Sequence, residues 1–285
     1  MKKNDALVNT HMSESIISVT LLKNQLKDPN LVILDASQKI VQSEEASIYQ
    51  NSGLTGARYF DLKNAFSYPN RKYSNTFPSA ERFQKECRNL GINQSSRIVV
   101  YDNIGVYTSP RVWWMFKAMG HDQVQVLDGG LPAWIQAGFE IEAQRDNHYA
   151  MGDFIAKIQP SSLKGLQFIS SNISNQNELL IDARSIGRFE GTAPEPREGL
   201  PSGHIPGSIN IPFKSVLEND KFKSKEALAE LFKNTPIANQ PLIFSCGSGV
   251  TACIVLLAAD QVLDNPKSVY DGSWTEWASE LRTEN

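Results

Sequence analysis

Short apolar runs recur along this chain, and most of them stop at a polar residue. Leu31-Val-Ile-Leu34 stops at Asp35, Arg97-Ile-Val-Val-Tyr101 at Asp102, and Val124-Gln-Val-Leu127 at Asp128. Leu179-Leu-Ile181 stops at Asp182, Leu242-Ile-Phe-Ser245 at Cys246, and Ser268-Val-Tyr270 closes the series. Runs this short and this apolar fit strands buried on both faces of a parallel sheet. Gly56 to Asp61 and Ile209 to Phe213 read as two further extended pieces. Between the runs the pattern predicts helices. They cover Val19 to Leu26, Pro78 to Leu90 with Ser79 as N-cap, and Ser109 to Met119 closed by Gly120. Others are expected around Trp134, over about Ser224 to Phe232, over Val250 to Leu263 and around Trp277. Strand and helix alternating at this spacing predict an α/β protein built on parallel sheets flanked by helices.

The alternation is interrupted once. Polar residues from Arg145 to about Gly165 carry no strong period and read as a crossover. This divides the chain into a domain over 16–145, a linker over 146–165 and a second domain over 166–285. The halves repeat. Asp35 and Asp182 are 147 residues apart, Asp102 and Cys246 144, and Gly129 and Gly272 as well as Trp134 and Trp277 143. Near-constant offsets between landmarks in matching surroundings indicate one fold duplicated in tandem.

The copies differ where chemistry would sit. After its central strand the second half carries Cys246-Gly-Ser-Gly-Val-Thr251; the first carries Asp102 and the longer Asn103 to Ser109 loop. Gly247 and Gly249 are expected to take positive φ and aim loop amides at one point. Amides and a helix N-terminus both favour a thiolate, so Cys246 is a candidate nucleophile. Thr251 is expected to cap the following helix. Cys253, two helical turns beyond Cys246, and Cys87 are expected in the core, and Trp274 and Trp277 as packing residues.

Composition narrows the class. With 41% apolar and 21% charged residues, 285 residues suffice for two ordinary domains with real cores. A net charge of −3 gives no reason to expect nucleic acid or a membrane surface. Three cysteines, Cys87, Cys246 and Cys253, argue for a reducing compartment rather than a disulfide framework. None has metal-ligand spacing, so no metal and no cofactor are expected. Residues 1–15 read as polar and loose, without the apolar run of a leader, and the expected location is the cytoplasm.

The motifs Asp182-Ala-Arg-Ser, Gly187-Arg-Phe-Glu-Gly191, Pro194-Glu-Pro-Arg197, Gly203-His-Ile-Pro-Gly207 and Cys246-Gly-Ser-Gly-Val-Thr251 resemble those of two-domain rhodanese-type sulfurtransferases. In the first half Tyr101-Asp102, Ser109-Pro-Arg-Val-Trp-Trp114 and Leu127-Asp-Gly-Gly-Leu-Pro-Ala-Trp134 agree as well, so the resemblance runs from about residue 16 to 280. It implies tandem rhodanese-like domains, the N-terminal one catalytically silent. Members that use thiosulfate carry basic residues after the cysteine, and phosphatases of this fold carry a longer loop ending in Arg. The neutral Gly-Ser-Gly here resembles the loop of members that use 3-mercaptopyruvate.

The resemblance further implies sulfur transfer through a Cys246 persulfide with release of pyruvate, the acceptor being thioredoxin, another thiol or cyanide. Arg188 and Arg197 would hold the substrate's carboxylate and ketone oxygen. Their Gly/Pro-rich segment is expected not to be a regular helix. Gly247, Gly249, Val250 and Thr251 would form the loop wall, Ser248 a proton donor or relay, and Tyr107 a contact from the first domain. Asp61 matches an acid placed across the cleft, in a relay with Ser248. The family often supplies a first-domain His nearby; Arg71 to Asn75 contains none, and Asn75 stands in its place. His204 reads as a turn residue, and the protein as a monomer. A thiosulfate sulfurtransferase and a non-catalytic persulfide relay are the alternative readings.

Overall fold

The computed structural model describes residues 14–38, 52–68, 72–143 and 148–280. The N-terminal sheet is formed by β1 (Ile16–Ile17), β2 (Leu31–Asp35), β4 (Arg58–Tyr59), β5 (Arg97–Tyr101) and β6 (Val124–Leu127), in the order β1-β6-β5-β2-β4 and parallel throughout. Two strands lie outside it: β3 (Ser52–Leu54) pairs antiparallel with β7 (Ile141–Ala143). The C-terminal sheet uses β8 (Leu163–Lys164), β9 (Leu179–Asp182), β10 (Ile209–Asn210), β13 (Leu242–Ser245) and β14 (Lys267–Tyr270). Its order, β8-β14-β13-β9-β10, repeats that of the first sheet, again parallel, so each half is an α/β domain of one topology. A small antiparallel pair, β11 (Leu217–Glu218) with β12 (Lys221–Phe222), decorates the second.

The helices are α1 (Val19–Gln25), α2 (Ala80–Asn89), α3 (Ser109–Ala118), α4 (Gly130–Gln136), α5 (Leu166–Asn175), α6 (Ile186–Glu190), α7 (Lys225–Lys233), α8 (Ala252–Asp260) and α9 (Ser273–Glu280). Ser18, Ser79 and Ser224 begin α1, α2 and α7 in extended conformation and accept from Leu21, Arg82 and Ala227 amides, the N-cap geometry expected of serine. Helix α8 is shorter than the apolar run suggested, and every residue from Ala252 to Ala259 is buried. An all-apolar helix must be covered on all sides. Here α3 of the first domain covers it, and one apolar cluster containing Val112 and Met115 with Val255 and Leu257 runs through both halves.

The two domains clasp each other reciprocally. The Phe77 amide donates to Asp271 Oδ2 at 2.8 Å, and 145 residues later the Phe222 amide donates to Asp128 Oδ1 at 2.9 Å. Burial raises the Asp128 pKa, opposed by that Phe222 amide. Among the described residues no helix is long and apolar enough to cross a membrane.

Candidate active site

Each central strand delivers one polar residue to the C-terminal edge of its sheet, where a loop climbs to the N-terminus of a buried helix. In the first domain β5 ends before Asp102. Its carboxylate accepts from the amides of Ile104 at 3.0 Å, Tyr107 at 2.9 Å, Thr108 at 3.0 Å and Ser109 at 2.9 Å, and from Ser109 Oγ at 2.7 Å. The loop is an anion cradle filled by its own side chain.

In the second domain β13 ends before Cys246, which is 2% exposed and lines a cavity of about 270 Å³. Cys246 is fixed by its backbone: its amide donates to Ser273 Oγ at 3.3 Å, and its carbonyl accepts from the Trp274 amide at 2.9 Å. The cavity brings together Cys246, Gly247, Ser248, Val250, Thr251, Tyr107, Arg188 and Arg197. Burial raises the Tyr107 pKa, with Cys246 as the next cause, so the phenol stays protonated beside the sulfur.

Only one of the two loop glycines takes positive φ. Gly249 does, at 79°, but it turns away from the cavity: a Cβ there would stand 3.1 Å from Arg111 Nη1 and from the Asp271 carbonyl. Gly247 is small for another reason. A Cβ on it would lie 2.9 Å from Arg188 Nη2, so its hydrogen makes room for the guanidinium. Thr251 occupies the N-cap position of α8 but with helical φ and ψ, and its side chain makes no capping bond. Asp61 is not in the wall of the Cys246 cavity. Its carboxylate takes the Asn64 amide at 3.0 Å and the Asn64 side chain, and it faces a neighbouring cavity of about 570 Å³ shared with Ser74, Asn75 and Arg197. It is Asn75, not Asp61, that reaches Ser248, with Nδ2 3.2 Å from Oγ.

Arg188 lies on α6, a five-residue helix closed by Gly191 at φ 80°, and not on irregular chain. A fork-to-fork pair with Glu195 fixes it, Nε to Oε1 at 3.0 Å and Nη2 to Oε2 at 2.6 Å. Glu195 also accepts from buried Arg184 at 2.8 Å, and Arg184 in turn grips Asp182 at the end of β9 and stacks 4.5 Å over Trp274. Burial opposes the Arg188 charge, and Glu195 and then Cys246 outweigh it, so its pKa is raised. In this chain of four charges every cation has its anion. Arg197 differs: it donates to two neutral hydroxyls, Thr275 Oγ1 at 2.7 Å and Ser74 Oγ. Among the described residues, Arg197 is thus the cation of the cavity whose charge no carboxylate meets.

Two residues of the site give no local signal in the sequence. Glu195 stands inside Pro194-Glu-Pro-Arg197, and nothing in that motif signals its pairing with Arg188. Arg111, on α3 of the first domain and fully buried, crosses to the second. It donates to Asp271 Oδ1 at 2.5 Å, to the Gly249 carbonyl at 3.3 Å and to the Asn75 carbonyl at 2.8 Å, and stacks 4.5 Å over Trp114. Cys253 is buried and its thiol donates to the Gly249 carbonyl at 3.4 Å; burial pushes its pKa up to about 12, against the pull of Arg111. Cys87 is in the core, and Trp274 and Trp277 pack against Ile205 and Tyr270. His204 is exposed, stacks on Phe189 and bonds its carbonyl, as a turn residue does.

The Rhodanese-like domain family matches this chain twice, over residues 18–137 and 167–280. The chain belongs to the rhodanese family. It is 36% identical to the 3-mercaptopyruvate sulfurtransferase of Mus musculus over 95% of its own length and 94% of that protein's. It is 39% identical to the Mus musculus thiosulfate sulfurtransferase over 95% and 91%. The crystal structure of the 3-mercaptopyruvate sulfotransferase SseA from Escherichia coli superposes with a TM-score of 0.81 at 29% identity, over 92% of this chain and 99% of that one. The chain is therefore a sulfurtransferase of two tandem domains. Overall identity to users of the two donors is nearly equal, so the choice between donors has to be argued from the site.

Proposed function

We propose that the chain moves sulfur from 3-mercaptopyruvate through a persulfide on Cys246, in the C-terminal domain, and that the N-terminal domain is catalytically silent. The observation that carries this reading is that one cavity gathers Cys246, Arg188 and Arg197 while the loop beside the sulfur, Gly247-Ser248-Gly249, holds no cation. A thiosulfate dianion wants positive charge around the reacting sulfur; an α-keto acid wants it a few atoms away, at its carboxylate. Here both guanidiniums come from the Gly187 to Arg197 segment, and the loop offers only a hydroxyl and backbone.

The charge balance divides the labour. Arg197, which donates to two neutral hydroxyls, takes the carboxylate; Arg188, already neutralised by Glu195, offers a fixed N–H to the ketone oxygen. Cys246 thiolate attacks the substrate sulfur. The Cys246 Sγ–S bond forms, the substrate C–S bond breaks, and its electron pair leaves as pyruvate enolate. Negative charge thus moves from Sγ toward Arg188, which was placed before the reaction began, so the stabilisation costs little reorganisation. Ser248 Oγ–H protonates the enolate. A second thiol, such as thioredoxin, or cyanide then takes the outer sulfur and returns Cys246 to the thiolate.

Steady-state kinetics with the two donors test the choice. The expected result is a kcat/KM for 3-mercaptopyruvate at least about 100-fold above that for thiosulfate, the range of one or two charge-assisted contacts. Preference for thiosulfate would move the assignment to that donor. Turnover of neither, with sulfur accepted only from a persulfidated protein, would leave a relay role, against which the intact pair of arginines argues.

A further inference from the structure

We propose that Asn75, from the first domain, is the positioning residue that sets the direction in which Ser248 of the second gives its proton; this rests on the reading of Ser248 as the group that protonates the departing enolate. Asn75 Nδ2 lies 3.2 Å from Ser248 Oγ, and both line the cavity of Cys246. A hydroxyl has one proton and two lone pairs. With the Asn75 N–H donating to Oγ, the hydroxyl proton turns away from Asn75 and into the cavity. The amide does not ionise, so the arrangement holds across the working pH range.

The position of Asn75 is over-determined. Its φ is 60°, in the left-handed region that asparagine tolerates better than most residues. Its carbonyl is held at 2.8 Å by Arg111, the same buried guanidinium that reaches the carbonyl of Gly249, next to Ser248, at 3.3 Å. One first-domain side chain therefore ties donor and acceptor to a single frame, with Asp271 as its counter-ion at 2.5 Å.

The duplication supplies an internal control. Asp220, 145 residues after Asn75, is also left-handed, at φ 59°, and packs against the loop of Asp102: a Cβ on Gly105 would stand 2.7 Å from its carbonyl oxygen. The backbone feature is common to both halves. The side chain is not. A carboxylate only accepts, whereas an amide donates, and the donor stands on the side that holds the cysteine. As the Cys246 Sγ–S bond forms, the C–S bonding pair enters the enolate, the Ser248 proton passes to the enolate carbon, and Oγ recovers a proton from solvent.

The test uses the full chain carrying Asn75→Gly, which keeps the left-handed backbone and the Arg111 contact, and Asn75→Asp, which keeps the size and reverses the donor. Each is made with and without Ser248→Ala, and pyruvate release from 3-mercaptopyruvate is followed. We expect each single Asn75 variant to lose about ten-fold in kcat with KM held within about two-fold, and Asn75→Asp to be no better than Asn75→Gly. In the Ser248→Ala background Asn75→Gly should add nothing. The proposal is overturned by an Asn75→Gly kcat within about two-fold of the unsubstituted protein, by the same loss persisting without Ser248, or by an unaltered kcat in Ser248→Ala. Failure of the functional reading itself is distinguishable: the unsubstituted protein would then release no pyruvate and gain no sulfur on Cys246.

Discussion

The two loops at the sheet edges are the same device in two states. In the N-terminal domain the cradle is closed by Asp102, which takes four amides and a hydroxyl of its own loop. In the C-terminal domain the equivalent residue is Cys246, the loop to the threonine before the helix is one residue shorter, and Cys246 lines a cavity with two arginines. Thr108 and Thr251, 143 residues apart, both stand at the N-cap with helical φ and ψ and without a side-chain bond. The difference teaches that one scaffold can present either a loop filled by its own anion or a loop that opens onto a cavity. The first domain also reaches the loop of the second: Arg111 donates to the Gly249 carbonyl and Asn75 to Ser248 Oγ.

Four changes break or sharpen this comparison, and the largest effect belongs to the cysteine. Cys246→Ser should lower turnover by roughly 1,000-fold or more, because a hydroxyl at this position is neither ionised nor a soft nucleophile for sulfur. Urea unfolding of the same variant should show unchanged stability, whereas a large loss would make Cys246 a core residue and end the contrast. Next comes the sealed loop. Asp102→Ala strands four amides and a hydroxyl, and should cost about 3 kcal/mol in urea unfolding while sulfur loading of Cys246 persists. Loss of loading without loss of stability would show that the first loop takes part in chemistry.

Smaller is the cost of Gly249→Ala. A side chain at φ 79° facing Arg111 should destabilise by about 1–2 kcal/mol and reduce turnover, whereas Gly138→Ala, also left-handed but with open space around it, should show the backbone cost alone. Equal melting temperatures for the two variants would remove the claim that Arg111 crowds the active loop. The mildest prediction concerns Cys253, whose pKa lies near 12 against 9.0 for a free thiol. Below pH 9 the thiol is protonated folded or unfolded and its contribution to stability is constant; between pH 9 and 12 the unfolded chain loses a proton that the folded one keeps, so stability falls as pH rises through that window. Cys253→Ala should flatten that decline, and iodoacetamide at neutral pH should label Cys246 while sparing Cys253 and Cys87, as peptide masses will report.

Much of this was legible in the sequence because buried parallel strands announce themselves. Arg97–Tyr101 and Val124–Leu127 have the bounds their apolar runs dictate, Ser79 caps where expected, and the helix expected from about Ser224 begins there. What stayed hidden has physical reasons. Helix α5 is rich in Ser and Asn, poor helix formers, and only Leu166, Ile169 and Ile173, spaced along one face, betray it. Strand β1 is two residues long and exists because β6 offers an edge. Arg188 sits on a helix whose signals, Ser185 before it and Gly191 after it, are masked by the glycines and prolines around them. In the site, the local motifs located the cysteine and both arginines, but Arg111 to Gly249 spans 138 residues and Asn75 to Ser248 spans 173, and no local pattern encodes contacts that only domain docking creates.

The central claim is that one loop of the pair is open to accept sulfur and the other is not. Its most direct measurement is the peptide mass map of the protein after 3-mercaptopyruvate, with pyruvate assayed alongside. The account predicts one added sulfur atom on the Cys246 peptide, none on the peptides of Cys87 and Cys253, and one pyruvate released per sulfur gained. Sulfur on either other cysteine, or pyruvate without a modified Cys246, would contradict it.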